Sequence, residues 1–228
     1  MKTYKIVAHR GASAYEPENT IIAIRRAIDM HADMVEIDVH TTKDKQLVVI
    51  HDAEVDRTTK GKGSIKDMSL KEIRRLDAGK GEKIPTLQEV LELSRDAIGV
   101  MIEVKGIGIE KLLVDLLQKE KMLDKVVATS FMTDIIKKVK ELEPKIPTGQ
   151  IFSWRIPHVT SKVVELKADY VLPAYELLTK EMIEESHRRS ILVFTWTVDD
   201  RHLAERLVEM GVDGIVTNKP DLMSPEDA

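Results

Sequence analysis

The sequence predicts an α/β protein, a (β/α)8 barrel of the TIM type, and three observations carry that prediction. Strand-like and helix-like segments alternate along almost all of the 228 residues, which implies a parallel sheet with helices packed over it. The strand-like runs reduce to eight barrel strands when 47–52 is taken as an antiparallel extension of the second, and eight parallel strands close. Short charged signatures stand at or near the C-terminal ends of several runs, the edge at which such folds build their sites. A doubly wound open sheet is the rival. It lacks support because His9-Arg10-Gly11, rather than a G-x-G-x-x-G turn, follows the first strand.

Taken in order, strands are expected near 5–9, 34–40, 47–52, 98–104, 126–130, 148–152, 170–172, 191–197 and 214–217, each an apolar run of strand length. Helical periodicity of apolar residues appears near 17–31, 86–95, 109–121, 132–142, 158–167, 179–189 and 200–210. Pro17 is expected to open the first helix, where a missing N–H costs nothing. Gly211 and Gly214 mark the turn into the last strand. Residues 53–85 break the alternation: they are polar, with Thr58–Gly63 leading to a short helical stretch at Leu70–Leu76. The expected organisation is one domain over 1–228, with 53–85 a small inserted cap after the second strand and its hairpin, over the active-site face. Long insertions in compact domains are usually functional.

Composition narrows the chemistry. Apolar residues make up 43% of the chain, enough for a sizeable core, and charged residues 32%, above the usual ~25%. The balance of 35 basic and 39 acidic residues gives a net charge of −4, not the basic footprint of a nucleic-acid binder. No cysteine is present, so disulfides, thiolate metal sites and a cysteine nucleophile are excluded. Any metal must sit on oxygen or imidazole. No run reaches the ~18 apolar residues of a membrane span, and Met1–Lys5 enters the first strand without an apolar signal core. The expected location is the cytoplasm, and the expected partner a small molecule.

Alternation on a strand puts Glu36 and Asp38 on one side, with Val35, Ile37 and Val39 toward the helices, and it pairs Glu103 with Lys105 in the same way. Three carboxylates gathered at a barrel mouth repel one another unless a cation neutralises them, and hard divalent ions take such oxygen ligands. With Arg10, Lys105 and one divalent ion the site carries a single positive charge, which a phosphodiester monoanion neutralises. Arg10 can fork onto two phosphoryl oxygens, with Lys105 a point charge beside them. His9 and His51 titrate near neutral pH, so one can accept a proton while the other donates one. The set equips a site to break a P–O bond. A dry ion network is the plain alternative, but buried pairs add little net stability. Asp52 is expected either to orient His51 or to cap a turn. Glu18 and Asn19 are expected to cap the first helix, with a second role near the metal or substrate left open, and His40 is expected to be a hydrogen-bonded structural histidine.

These residues resemble the glycerophosphodiester phosphodiesterase family. The likeness rests on A-H-R-G at 8–11, P-E-N-T at 17–20, E-I-D-V at 36–39, L-V-V-I-H-D at 47–52 and D-R-T-T-K-G-K-G at 56–63. It continues through L-D-A-G at 76–79, I-P-T-L-Q-E-V-L at 84–91, E-V-K at 103–105, S-F at 130–131, W-T-V-D at 196–199 and D-G-I-V-T-N-K-P at 213–220. The resemblance implies hydrolysis of glycerophosphodiesters to sn-glycerol 3-phosphate and an alcohol. It implies His9 and His51 as the acid–base pair, and Glu36, Asp38 and Glu103 as ligands of one divalent ion, Mg²⁺ or Ca²⁺, with Mn²⁺ also suited. Arg10 and Lys105 then bind phosphate, and Trp196 lines the glycerol pocket. Asn218 stands where the family usually has aspartate, and Lys45 where a hairpin glycine is usual. Two other functions fit less well. Lysophospholipase D-type cleavage needs an apolar channel, and the insertion is polar. A non-catalytic phosphate-ester binder has no use for two histidines.

Overall fold

The computed structural model of the chain describes residues 4–223. Nine strands form one sheet: β1 (Lys5–His9), β2 (Met34–Thr41), β3 (Leu47–Val49), β4 (Gly99–Val104), β5 (Val126–Ser130), β6 (Thr148–Phe152), β7 (Tyr170–Pro173), β8 (Leu192–Thr195) and β9 (Gly214–Thr217). The order is β1-β9-β8-β7-β6-β5-β4-β2-β3, and β1 also pairs with β2. Eight parallel strands therefore close. β3 lies outside the barrel, antiparallel to β2. The helices are α1 (Ile21–Asp29), α2 (Leu70–Ile73), α3 (Leu87–Ser94), α4 (Glu110–Glu120), α5 (Thr133–Leu142), α6 (Val159–Glu165), α7 (Lys180–Arg188) and α8 (Arg201–Met210).

The period-2 pattern divides the core. Val7, Met101, Val127, Ile151, Leu172, Phe194 and Val216 fill the barrel interior. Alternate strand residues, including Val35, Ile37, Val39, Val100 and Ile102, point outward and pack against the helices. The outward pattern places Glu36 and Asp38 on the inner face, above Met34. Gly214 and Gly149 leave room inside: an added Cβ would sit 2.6 Å from the Phe194 ring and 2.5 Å from Leu172, respectively. The β2–β3 hairpin is shared. Leu47 and Val49 join the barrel's outer core, while Val48 and Ile50 join Val55, Ile65, Ile73, Ala78 and Ile84 in a separate cluster that forms the core of 53–85.

Helix ends are set by local chemistry. Ser69 with Glu72 and Thr86 with Glu89 form capping boxes at α2 and α3, and Arg74 forks onto Glu89 at 2.7 and 2.8 Å, tying the insertion to α3. The first helix departs from expectation. It starts at Ile21, capped by Thr20, and Pro17 lies in the preceding turns. Residues 10–20 are coiled instead because Arg10 and Asn19 take left-handed φ values of 56° and 58°, which carry their side chains toward β2. The runs expected at 47–52 and 191–197 shorten to Leu47–Val49 and Leu192–Thr195, since their last residues turn away to form the site. Lys45, at φ 62°, occupies a left-handed turn position, which accounts for the glycine usual in the resembling family.

Gly11 is the tightest point of the first turn. Its φ is +83°, and an added Cβ would come within 2.7 Å of the Ala23 backbone. Gly11→Ala is expected to lower stability by about 1–3 kcal/mol, seen as a lower denaturation midpoint. An unchanged midpoint would contradict the close approach of this turn to α1.

Candidate active site

The strand register assembles the site. His9 lies beside Glu36, and Asp38 beside Glu103. His9, Arg10, Glu36, His51, Glu103, Lys105 and Trp196 all line one cavity of about 110 Å³ at the barrel mouth. Asp38 sits beneath them, 1% exposed. All eight residues singled out from the sequence thus meet at one place.

One carboxylate oxygen from each of Glu36, Asp38 and Glu103 lies within 4.8 Å of the others. Burial, and then the neighbouring Asp38 and Glu103, push the Glu36 carboxyl well above the usual carboxylate range. Burial also raises Glu103, against the pull of Lys105. Lys105 Nζ stands 2.8 Å from Glu103 and 3.3 Å from Asp38 Oδ1. Burial pulls its ammonium down, but the carboxylates around it outweigh burial and leave it raised. Arg10 Nε is 3.3 Å from Asp38 Oδ2. The two contacts to Asp38 have ion-pair distance without hydrogen-bond geometry, for both Asp38 Oδ1 and Arg10 Nε are buried without a hydrogen-bond partner. A buried carboxylate oxygen with spare capacity, in a triad strained by like charge, fits a hard divalent cation. Among the described residues this is the one such group.

Each histidine is held by a different partner. His9 Nδ1 lies 2.7 Å from Asn218 Oδ1. The amide orientation is fixed because Asn218 Nδ2 donates to Asp199 Oδ2, while Ser13 Oγ reaches Asn218 Oδ1 at 2.8 Å. An amide oxygen only accepts, so Nδ1 of His9 carries the proton, and Nε2 faces the carboxylates, 4.0 Å from Glu36. Burial and the neighbouring Arg10 lower the pKa of His9. His51 Nδ1 lies 2.6 Å from Asp52 Oδ1, and Arg57 Nε donates to Asp52 Oδ2 at 2.6 Å. The Arg57 bond holds the Asp52 carboxyl at about 2. Asp52 therefore orients His51. The chain turns at 50–53, so the strand rule that adjacent side chains diverge does not apply.

Sequence reasoning undervalued three groups. Asn19 is no helix cap: it donates to Asp38 Oδ2 at 2.8 Å and accepts from the Asp38 N–H at 3.2 Å. Glu18 bridges Arg10 and Arg57, at 3.0 and 2.7 Å. Asn218 and Asp199 hold His9. The position of P-E-N-T before the first helix was the available signal for Glu18 and Asn19; for the Asn218–Asp199 pair the signals were the departure of Asn218 from the family's usual aspartate and the W-T-V-D motif that ends in Asp199. His40 is structural, as expected, its Nε2 3.0 Å from the His51 carbonyl oxygen. No residue of 53–85 lines the cavity. The insertion reaches the site through Arg57 and Asp52.

Arg57→Ala and Asp52→Asn are each expected to lower kcat, with the double variant losing less than the two combined because both act through His51. Additive losses in steady-state kinetics would refute that coupling.

No helix among the described residues is long and apolar enough to cross a membrane. The profile of the Glycerophosphoryl diester phosphodiesterase family matches residues 9–222. A glycerophosphodiester phosphodiesterase of Caldanaerobacter subterraneus is 39% identical, aligned over 98% of this chain and 97% of that one. Another, from Bacillus subtilis, is 36% identical over 95% of this chain and 84% of its own. A phosphodiesterase of Oleispira antarctica, solved in complex with the product sn-glycerol-3-phosphate, superposes with a TM-score of 0.92 at 28% identity, covering 98% of this chain and 97% of that one. With a family match across the barrel and near full-length relatives well above 30% identity, the chain belongs to the glycerophosphoryl diester phosphodiesterase family.

Proposed function

We propose that this glycerophosphodiester phosphodiesterase releases sn-glycerol 3-phosphate and an alcohol through a proton relay in which His9 is the base and His51 the acid. The observation that carries the assignment is the difference between their partners. An amide holds His9 with a bare Nε2 toward the carboxylates, and burial beside Arg10 favours its neutral form. A carboxylate, itself locked by Arg57, holds His51 through Nδ1, which leaves Nε2 to hand a proton to the leaving alcohol.

Glu36, Asp38 and Glu103 would hold one divalent ion, Mg²⁺, Ca²⁺ or Mn²⁺. When bound it supplies polarisation of a phosphoryl oxygen and a lowered pKa for a coordinated hydroxyl. Arg10 and Lys105 then bind the phosphoryl oxygens, Arg10 oriented by Glu18. His9 Nε2 takes the proton of the attacking hydroxyl, either that of water or that of the glycerol, whose attack gives a cyclic phosphate that water then opens to glycerol 3-phosphate. As the P–O bond to the leaving alcohol breaks, His51 Nε2 gives that alcohol a proton. Trp196, fixed by its Nε1–H to the Leu172 carbonyl at 2.9 Å, offers its ring to the glycerol carbons. Residues 53–85 form an insertion within one domain rather than a second domain, and they act on the site by locking Asp52 through Arg57.

A coupled assay for glycerol 3-phosphate, run on choline, ethanolamine, glycerol and inositol diesters with several metals, tests the reading. Release from at least one diester in the presence of metal is expected. Binding of all of them without release would favour a binding protein instead.

A further inference from the structure

We propose that the groove beside the barrel mouth is the subsite for the leaving alcohol, and that it is built for a hydroxylated ring, a cyclitol or a hexose. The inference rests on the site assignment above and narrows its substrate class.

A phosphate and a three-carbon glycerol take up a catalytic cavity of about 110 Å³, so a larger alcohol must extend out of it. The cavity opens into a groove of about 820 Å³ over the loops after β4, β5 and β6, and Phe131 and Ile151 line both spaces. Phe131 marks the passage. Lys105 Nζ, set to bind phosphate, stands 6.0 Å from its ring centroid. Trp196, at the glycerol end, meets it edge-on at 5.6 Å. Lys105 and His51 both bear on the Glu103 carboxyl, so the acid for the alcohol and the entrance to the groove stand together beside Glu103.

The side chains of the groove define what it recognises. Trp154 is 58% exposed and stacks with Phe131 at 6.5 Å, which leaves a flat aromatic surface for the C–H face of a ring. Two buried acceptors lack donors. Gln150 is 3% exposed; its Nε2 donates to the carbonyls of Ser130, Phe131 and Ile151, while its Oε1 has no hydrogen-bond partner. Glu110, 9% exposed, accepts from the Gly108 N–H at 3.2 Å and pairs with no cation. Both residues line the groove. A buried acceptor left unpaired is destabilising, and a ligand O–H relieves it.

Donors complete the set. Arg155 and Lys162, exposed along the groove, have no ion pair or hydrogen bond among the described residues. Acceptors and donors gathered around one aromatic face match a polyol ring, whose hydroxyls serve as both. An ammonium head group uses the acceptors but is repelled by Arg155 and Lys162, and an alkyl chain leaves every polar group unpaired. The chemistry is unchanged. The oxygen of water bonds to phosphorus and its proton goes to His9, while the P–O bond to the ring breaks and the ring oxygen takes the proton of His51.

The test measures kcat/KM of the metal-loaded protein on glycerol 3-phosphate diesters of myo-inositol, glucose, cyclohexanol and ethanolamine. The first two separate a cyclitol from a hexose, and the cyclohexyl diester keeps a ring without its hydroxyls. At least one hydroxylated-ring diester is expected to exceed both the cyclohexyl and the ethanolamine diesters by about tenfold or more, the effect of a single hydrogen bond to a charged acceptor. Glu110→Ala and Trp154→Ala should each cut the ratio of hydroxylated-ring to ethanolamine turnover by about fivefold or more, and Trp154→Phe should keep most of it. The ratio is taken within one preparation, so partial misfolding of a variant does not move it. A wild type without this preference, or Glu110 and Trp154 variants that both keep it, would overturn the proposal. If none of the diesters is hydrolysed, the phosphodiesterase reading fails and takes this inference with it. If the ethanolamine diester is hydrolysed as well as the ring diesters, only the subsite is refuted.

Discussion

Chelation is expected to abolish glycerophosphodiester turnover, and Mg²⁺, Mn²⁺ or Ca²⁺ to restore it. Three carboxylates share one small volume, and burial with mutual repulsion drives Glu36 toward its neutral form. Only a multivalent cation lets all three ionise together with a phosphodiester nearby. Asp38→Asn keeps the side-chain shape and an oxygen for Asn19 but removes the charge at the centre of the triad. Metal affinity, read by calorimetry, should fall by more than the roughly 10–100-fold that loss of an outer-sphere partner costs. Thermal unfolding should remain cooperative. Full activity after exhaustive chelation would sink the assignment.

The two histidines carry the other large effect. An acid and a base acting in one step each contribute roughly 10²–10⁴-fold to rate, so His9→Ala and His51→Ala should each lower kcat by that order. KM should change far less, because Arg10, Lys105 and the carboxylate-held ion bind the phosphate without them. Steady-state kinetics on glycerophosphocholine reads both parameters. If either variant keeps near wild-type kcat, that ring moves no proton.

The barrel was legible because its signals are local. Period-2 alternation in Met34–Thr41 and Gly99–Val104 separates inward carboxylates from outward valines and isoleucines, and the motifs ending those strands name the residues that meet. The position of β3 outside the barrel followed from counting strands. The first helix was misplaced because P-E-N-T reads as a helix start, yet Asn19 is fixed by Asp38, a residue nineteen positions later. The same holds for His9, whose partner Asn218 lies 209 residues away. Such contacts depend on closure of the barrel, which no sequence window contains.

The most direct measurement compares leaving groups. p-Nitrophenol is acidic enough to depart with little protonation, so glycerophospho-p-nitrophenol and glycerophosphocholine separate the acid from the base. The assignment predicts that His51→Ala, slow on the choline diester, recovers much of its rate on the nitrophenyl diester, whereas His9→Ala stays slow on both. Recovery by His9→Ala alone would reverse the two roles. Recovery by neither, with both variants near wild-type rate on the choline diester, would remove both histidines from the reaction and contradict the mechanism.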